Sequence, residues 1–277
     1  MVPRSPRNSV QILTEGEQRP VVIEREPDHV LFAGLWVRLR RIFREAVCRD
    51  KATAFRLEPA AQSNGIEDAR FVEFSDEGRK TYYATYTAYS GRAIRSELIA
   101  THDFMSFWLA PLRGTAAQNK GMALFPRKIG GKYAMIARQD NENLYLIYSD
   151  DLTTWNGGKA ILKPEFPWEF VQIGNCGSPI ELDEGWLLLT HGVGPVRKYS
   201  IGAALLDKND PSKVLARSRE PLLRPEPSER EGYVPNVVYT CGAMRHNDQI
   251  ILPYAVSDTF SNFATIKIST LMQSMKS

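Results

Sequence analysis

The chain has 277 residues, of which 43% are hydrophobic and 24% are charged, so disorder along its whole length is excluded. No apolar run approaches the ~18 residues of a membrane span, and the N-terminus lacks the apolar stretch of a secretory signal. We therefore expect a cytoplasmic protein with no membrane partner. The net charge of only +3 argues against nucleic acid as a partner.

The three cysteines predict neither a disulfide framework nor a metal site. Cys48, Cys176 and Cys241 lie far apart and show no Cys-x-x-Cys spacing. The sequence also lacks a Walker loop, a dinucleotide-binding glycine motif and an HExxH helix. We expect no metal and no cofactor.

Residues 1–51 form a first predicted unit that differs from the rest of the chain. Residues 1–30 are polar and proline-containing, which is typical of irregular structure. Residues 35–49 place arginine and aliphatic side chains at helical spacing and predict a basic amphipathic helix. Packing against the following domain is its ordinary use; a membrane surface or a partner groove is the alternative.

Residues 52–277 are predicted to form a second unit built almost entirely of β-strands. Apolar strands follow turns at residues 80–89, 131–138, 185–191 and 248–254. Their spacing of about 50 to 60 residues is the scale of a propeller blade. A β-sandwich is the alternative architecture. The sequence thus predicts an all-β propeller-like domain with an incomplete first blade.

Two glycine-flanked polar segments are candidate sites. Glu67, Asp68 and Arg70 lie just before the predicted strand 71–74. In an extended segment the two carboxylates point to opposite sides, so one would face a cleft while the other pairs with Arg70. Lys120 stands beside a glycine and could present a cation to an oxyanion. A solvated turn and an ordinary surface lysine remain the alternatives.

His191 ends an apolar strand and precedes Gly192, so its ring is expected to face a cavity, with a structural role as the alternative. Eleven tyrosines and five tryptophans accompany these polar segments. Aromatic faces beside planar polar groups suit sugar rings. The sequence therefore predicts carbohydrate as the class of substrate.

Several motifs together resemble those of glycoside hydrolase family 130, the mannoside phosphorylases and related β-mannosidases. Gly65-Ile-Glu-Asp-Ala-Arg70 is similar to the G-x-E-D-P-R loop of that family, with Ala69 in place of proline. The later motifs follow in the family's order, namely Lys120-Gly-Met-Ala-Leu-Phe-Pro126, Gly185-Trp-Leu-Leu-Leu-Thr-His-Gly-Val193 and Tyr254-Ala-Val-Ser-Asp-Thr259. This resemblance implies a five-bladed β-propeller.

The resemblance also implies an activity and a set of site residues. Asp68 would be the general acid of an inverting single displacement, passing its proton through a substrate hydroxyl. Inorganic phosphate would attack as co-substrate, bound by Lys120 and His191, and a β-linked manno-oligosaccharide would yield α-mannose 1-phosphate. The residues expected to bind the sugar are Glu67, Arg70, Asn119, Tyr233 and Asp258.

Two departures from the family pattern keep other functions open. Asn119-Lys120-Gly121 stands where the family has Arg-Asn, and Gln172 replaces a lysine, so one cation toward phosphate is lost. Hydrolysis of a β-1,2-mannoside by water is the alternative, and it needs a second carboxylate as base. The candidates for that base are Glu67, Glu169, Glu181 and Glu231, with Glu231 to be tested first.

A third and larger departure lies at the N-terminus, because family members have a complete first blade there. An inactive, truncated relative is therefore the third hypothesis. The sequence leaves linkage, chain-length preference and oligomeric state open, and it admits a homo-oligomer.

Overall fold

The computed structural model describes residues 62–276 except residue 106. The predicted polar segment, the basic helix and the domain boundary after residue 51 lie outside these residues. No helix of the described part has the length and apolarity needed to cross a membrane.

Seventeen strands, labelled β1 to β17, form four antiparallel sheets within the described part of the chain. The first sheet contains β1 (Ile66–Asp76), β2 (Arg79–Tyr89), β3 (Ile94–Thr101) and β4 (Trp108–Pro111). The second contains β5 (Ala123–Leu124), β6 (Tyr133–Ala137), β7 (Leu144–Ser149) and β8 (Lys159–Leu162). The third contains β9 (Gln172–Asn175), β10 (Ile180–Glu181), β11 (Trp186–Gly194), β12 (Lys198–Leu206) and β13 (Val214–Arg217). The fourth contains β14 (Val238–Tyr239), β15 (Met244–His246), β16 (Gln249–Val256) and β17 (Phe260–Lys267).

The four apolar segments predicted as strands are confirmed, and each contributes an interior strand of a different sheet. They form β2, β6, β11 and β16. Their even spacing along the chain therefore reflects one blade after another in an all-β, propeller-like fold. Four blades are described, and the count of five stays a prediction.

Three apolar cores lie between successive sheets. Alternating side chains of β6 illustrate the arrangement, because Met135 packs toward the first sheet and Ile136 toward the third. Trp155 and Trp186 are fully buried in the first and second of these cores. Burying both faces of the interior sheets holds neighbouring blades at fixed positions.

The chain ends in a helix, α1 (Ile268–Lys276), where we expected strands almost throughout; that expectation is wrong here. Ile268, Leu271, Met272 and Met275 are buried at helical spacing against the core between the third and fourth sheets. The segment spans only nine residues. Its apolar stripe of four residues is a weak signal in a sequence dominated by strand patterns.

The first strand of a sheet repeatedly carries polar residues that meet in one place. β1 carries Asp68, the segment before β5 carries Lys120, β9 begins at Gln172 and β14 ends at Tyr239. Contacts between these residues, described below, show that they meet although they are far apart in sequence.

Candidate active site

Asp68 lies inside strand β1, on a bulge. The sequence predicted a loop before the strand at this position, and that prediction is wrong. Pairing with β2 begins at Ile66 and shifts register between Glu67 and Arg70. Asp68 has a φ of 58°, in the left-handed region that Asp and Asn tolerate better than most side chains. A bulge of this kind re-aims a side chain out of the regular alternation of a strand.

Four side chains surround the carboxylate of Asp68. The Tyr239 hydroxyl lies 3.3 Å from Oδ2, Arg70 Nη2 lies 3.6 Å from it and Lys120 Nζ lies 3.9 Å from it. Cys241 Sγ lies 3.9 Å from the other oxygen, Oδ1. Burial raises the pKa of the Cys241 thiol to about 12, so the thiol stays protonated. With 19% of its side chain exposed, Asp68 is partly shielded from water.

Glu67 and Asp68 both reach Lys120, contrary to the expectation that they point to opposite sides. Lys120 Nζ lies 4.0 Å from Glu67 Oε2, nearly the same distance as from Asp68. The bulge supplies the reason, because it removes the alternation on which that expectation depended. Half of the Glu67 side chain is exposed, so it lies at the outer side of the site.

Arg70 lies beneath the acid. Its side chain is only 2% exposed; Nη1 donates to the carbonyl of Asp68 at 2.9 Å and Nη2 to the Tyr239 hydroxyl at 2.6 Å. It therefore pairs with the candidate acid itself, whereas we expected it to pair with the other carboxylate. Its contacts hold the bulge and the acid; that it also binds sugar stays a prediction.

A second group of side chains is centred on His191 of β11. Arg138, which follows β6, approaches His191 Nε2 with Nη1 at 3.3 Å, and the Tyr239 ring packs edge-on to the imidazole at 5.0 Å. Arg138 and His191 are both buried. Tyr239 touches both groups, so the acid and the imidazole belong to one site.

The electrostatics of this second group favour a bound anion. Burial lowers the pKa of Arg138 below its ordinary range, and the charge of Arg70 adds to that effect. Burial and the nearby cations Arg138, Arg70 and Lys120 hold the pKa of His191 well below 6.5. A negative ligand would relieve this concentration of positive charge.

Buried polar atoms that lack a partner among the described residues lie beside this second group of side chains. Arg138 Nε and both side-chain amide atoms of Asn175 are buried and have no hydrogen-bond partner in residues 62–276. A β-carbon on Gly121 would lie 3.7 Å from Asn175 Oδ1 and 3.8 Å from Arg138 Nε, so these atoms lie near the loop that carries Lys120. Buried polar groups without partners are costly, which is consistent with donors awaiting a ligand.

Gln172 occupies the position where a lysine was expected from the resemblance. With its amide oriented to satisfy both neighbours, the oxygen accepts from Arg138 Nη1 at 3.0 Å and the nitrogen donates to the Asn141 carbonyl at 3.1 Å. The side chain thus helps to hold Arg138 without adding a further cation to the site.

Gly174 allows His191 and Arg138 to pack together. A β-carbon at this position would lie 2.3 Å from His191 Cε1 and 3.0 Å from Arg138 Nη1. We expect Gly174→Ala to displace the imidazole and to raise the Kd of a bound anion, with inorganic phosphate as the probe, by about 10-fold, the equivalent of about 1.4 kcal/mol. Calorimetric titration with phosphate would check this. An unchanged Kd would contradict it.

The lowered pKa of His191 predicts a loss of stability in acid. The unfolded chain takes up a proton near pH 6.5 whereas the folded chain does not, so the free energy of unfolding should fall as pH decreases through 6.5. The expected contribution is about 1.4 kcal/mol between pH 7.5 and 5.5. Urea denaturation of the wild type and of His191→Gln should differ by that amount, and equal pH dependence would contradict the prediction.

Three expected sugar-binding residues are exposed, and within the described residues none of their side chains forms a hydrogen bond or ion pair with this cluster. Asn119 is exposed and donates from Nδ2 to the Gln139 carbonyl at 2.7 Å. Tyr233 is 88% exposed and Asp258 is exposed. The loops that carry Tyr233 and Asp258 adjoin each other, because the amide of Val234 donates to the Ser257 carbonyl at 3.0 Å.

Two of the glutamates considered as a hydrolytic base are held in structural ion pairs. Buried Glu169 accepts from Arg217 Nη2 on both oxygens at 2.7 Å. Glu181 pairs with Arg127 at 2.8 Å, and the hydrogen bond from Arg127 lowers the pKa of Glu181. Glu67 and Glu231 are the candidates that remain accessible. In the described residues no cluster of three or more His, Cys, Asp or Glu side chains could hold a metal ion.

Sequence reasoning missed Arg138 and the positions of Tyr239 and Gln172. Arg138 follows an ordinary apolar strand, and Tyr239 was one of many aromatic residues assigned mostly to the core. Only the meeting of the second, third and fourth sheets reveals them. The sequence did carry a signal for Arg138, because a charged residue that directly follows an apolar strand often lies in a functional loop.

Comparisons with known proteins identify the family of the chain. The model of glycoside hydrolase family 130, described as β-1,4-mannooligosaccharide phosphorylase, matches residues 49–277. The 1,2-β-oligomannan phosphorylase of a Thermoanaerobacter species is 37% identical over 82% of this chain and 78% of its own length. The β-1,2-mannobiose phosphorylase of Listeria innocua is 34% identical over 78% of this chain and 61% of its own length.

A solved structure of the Listeria innocua β-1,2-mannobiose phosphorylase with β-1,2-mannobiose superposes with a TM-score of 0.71 at 32% identity. The alignment covers 78% of this chain and 62% of that chain, so about three fifths of the Listeria protein has a counterpart here. The family match extends over more than four fifths of the sequence, and it confirms the resemblance drawn from the motifs. The chain is a member of glycoside hydrolase family 130, a family of mannoside-active enzymes.

Proposed function

We propose that this protein is an inverting phosphorylase of β-linked manno-oligosaccharides, with β-1,2 linkages as the preferred substrates. A phosphate oxygen attacks the anomeric carbon while the glycosidic C–O bond breaks. Asp68 supplies the proton that the departing sugar oxygen gains. The products are α-mannose 1-phosphate and a sugar shortened by one mannose.

One observation carries this proposal: the partly shielded carboxylate of Asp68 faces a group of cations, while Glu67 lies at the outer, exposed side of the site. Asp68 has Arg70 and Lys120 within 4 Å, and Arg138 lies beside the neutral His191. An inverting hydrolase needs a second carboxylate to activate water. Phosphate arrives already anionic and needs positive charge to bind it.

Lys120 and Arg138 are the proposed phosphate ligands, with His191 as a neutral hydrogen-bonding partner. Lys120, in the segment before β5, lies 3.9 Å from the acid, while Arg138 and Asn175 present polar atoms that have no partner among the described residues. This arrangement supports phosphate despite the glutamine at position 172. Gln172 contacts Arg138 and holds it in place.

The preference for β-1,2 linkages rests on the relatives. The Thermoanaerobacter and Listeria enzymes described above are named for β-1,2-linked substrates, whereas the family model is described by β-1,4-mannooligosaccharides. Both linkages therefore belong in the test, with β-1,2-mannobiose expected to react faster.

The test incubates the purified protein with β-1,2- and β-1,4-mannobiose, each with and without inorganic phosphate. Mannose 1-phosphate formed only when phosphate is present is the expected result. Free mannose formed at the same rate without phosphate would show a hydrolase, with accessible Glu67 or Glu231 as the base to mutate next. No turnover under any condition would favour an inactive relative.

A further inference from the structure

Among its contacts with described residues, the hydroxyl of Tyr239 has one hydrogen-bond acceptor for its proton. Arg70 Nη2 lies 2.6 Å from this hydroxyl, and a guanidinium has no lone pair to accept with. The hydroxyl therefore accepts from Arg70, and its own proton must point to another atom. Within the described part of the chain, Asp68 Oδ2, at 3.3 Å, is the acceptor within reach.

The hydroxyl keeps that proton, because burial holds the pKa of Tyr239 well above 10. Its ring is fixed by the edge-on contact with His191 at 5.0 Å. Tyr239 is therefore a constant donor toward one oxygen of the acid.

The two oxygens of Asp68 consequently have different surroundings. Oδ2 faces the Tyr239 hydroxyl, Arg70 and Lys120, which all stabilise negative charge. Among the residues that the structure describes, Oδ1 has only the weakly donating Cys241 thiol, at 3.9 Å. A proton on the carboxyl group is therefore more stable on Oδ1, where it meets no opposing donor or cation of comparable strength.

We propose that Tyr239 is a positioning residue that anchors Oδ2 of Asp68 and thereby assigns Oδ1 as the oxygen that delivers the proton. This inference rests on the proposed function, because it takes Asp68 as the general acid. Arg70 completes the arrangement by fixing the direction in which the Tyr239 hydroxyl donates.

The first test replaces Tyr239 by phenylalanine, which keeps the ring against His191 and removes the hydroxyl. We expect kcat for phosphorolysis to fall by about 10- to 100-fold, the range for a hydrogen bond to a charged group, with both KM values within about twofold of the wild type. Loss of a donor disfavours the ionised acid. The descending limb of the profile of kcat against pH should therefore move to higher pH.

A second variant places 3-fluorotyrosine at position 239 and covers the case in which the phenylalanine variant fails to fold. Its shape is nearly unchanged, while its hydroxyl is a stronger donor. The descending limb should then move in the opposite direction, to lower pH. Opposite shifts in the two variants would not arise from a merely structural role of the ring.

Tyr86→Phe is the matched control. Tyr86 is a buried tyrosine whose hydroxyl donates to the carboxylate of Glu97 at 2.5 Å, within the first sheet. Loss of the Tyr86 hydroxyl should lower the free energy of unfolding. It should not move the descending limb of the profile of kcat against pH.

The outcomes separate this inference from the function on which it rests. If Asp68→Asn is inactive but the limb stays in place in both Tyr239 variants, the acid is correct and the role of Tyr239 is overturned. If Asp68→Asn retains wild-type turnover, the proposed function itself fails.

Discussion

Replacing Asp68 by asparagine is expected to lower kcat/KM for phosphorolysis of β-1,2-mannobiose by about 10²- to 10⁴-fold, the usual contribution of a general acid. Asparagine keeps the size of the side chain and tolerates the left-handed backbone at this bulge. The fold should therefore survive, and the loss should be chemical. Release of mannose 1-phosphate, measured at saturating phosphate, checks this result.

A substrate with an activated leaving group sharpens the test. An aryl β-mannoside whose phenolate departs without a proton should lose far less rate in Asp68→Asn than mannobiose does. An equal loss on both substrates would indicate misplacement of the substrate and not loss of an acid. Glu73→Gln is the matched control, since Glu73 lies on the same strand and pairs with Lys80 on the surface; its activity should equal that of the wild type.

Replacing Arg138 by alanine is expected to raise the KM for phosphate by about 10- to 100-fold, because a hydrogen bond to a charged group contributes about 1.5–3 kcal/mol. The KM for the sugar should change much less. Kinetics with each substrate varied in turn provide the measurement. Parallel increases in both KM values would assign Arg138 a structural role.

Thermal unfolding gives an independent measurement for the same variant. Arg138 is a buried cation near other cations, and its Nε has no partner. Without phosphate, the alanine variant should be as stable as the wild type or more stable. Added phosphate should raise the Tm of the wild type progressively as its concentration rises above the Kd. The Tm of the variant should stay nearly unchanged. Lys132→Ala, which removes an exposed surface cation paired with Asp150, should respond to phosphate as the wild type does.

The blades, and the segment that carries the proposed acid, could be recognised in the sequence because their signals are local. A strand after a turn, repeated at even spacing, needs no knowledge of the partner strand, and the Gly65–Arg70 motif is a continuous segment. The helix α1 was missed because a nine-residue apolar stripe is a short signal beside seventeen strands.

The environment of the acid was not predictable in the same way. A bulge exists only in relation to a neighbouring strand, so the one extra residue of β1 relative to β2 leaves no mark in the sequence of β1 alone. Arg138 and Tyr239 become site residues only when three sheets meet. Their contacts with His191 span 53 and 48 positions in sequence, and no periodic pattern predicts such contacts.

The proposed acid and the proposed phosphate ligands are anchored on different sheets: Asp68 on the first, Arg138 directly after a strand of the second, and His191 on the third. Each sheet is stiff within itself, while its position relative to the next depends on side-chain packing in the three cores. A small rotation between blades would separate proton donor from nucleophile without breaking a single hydrogen bond within either blade. Catalytic competence is thus a property of the alignment of the blades, and it is more fragile than the blades themselves.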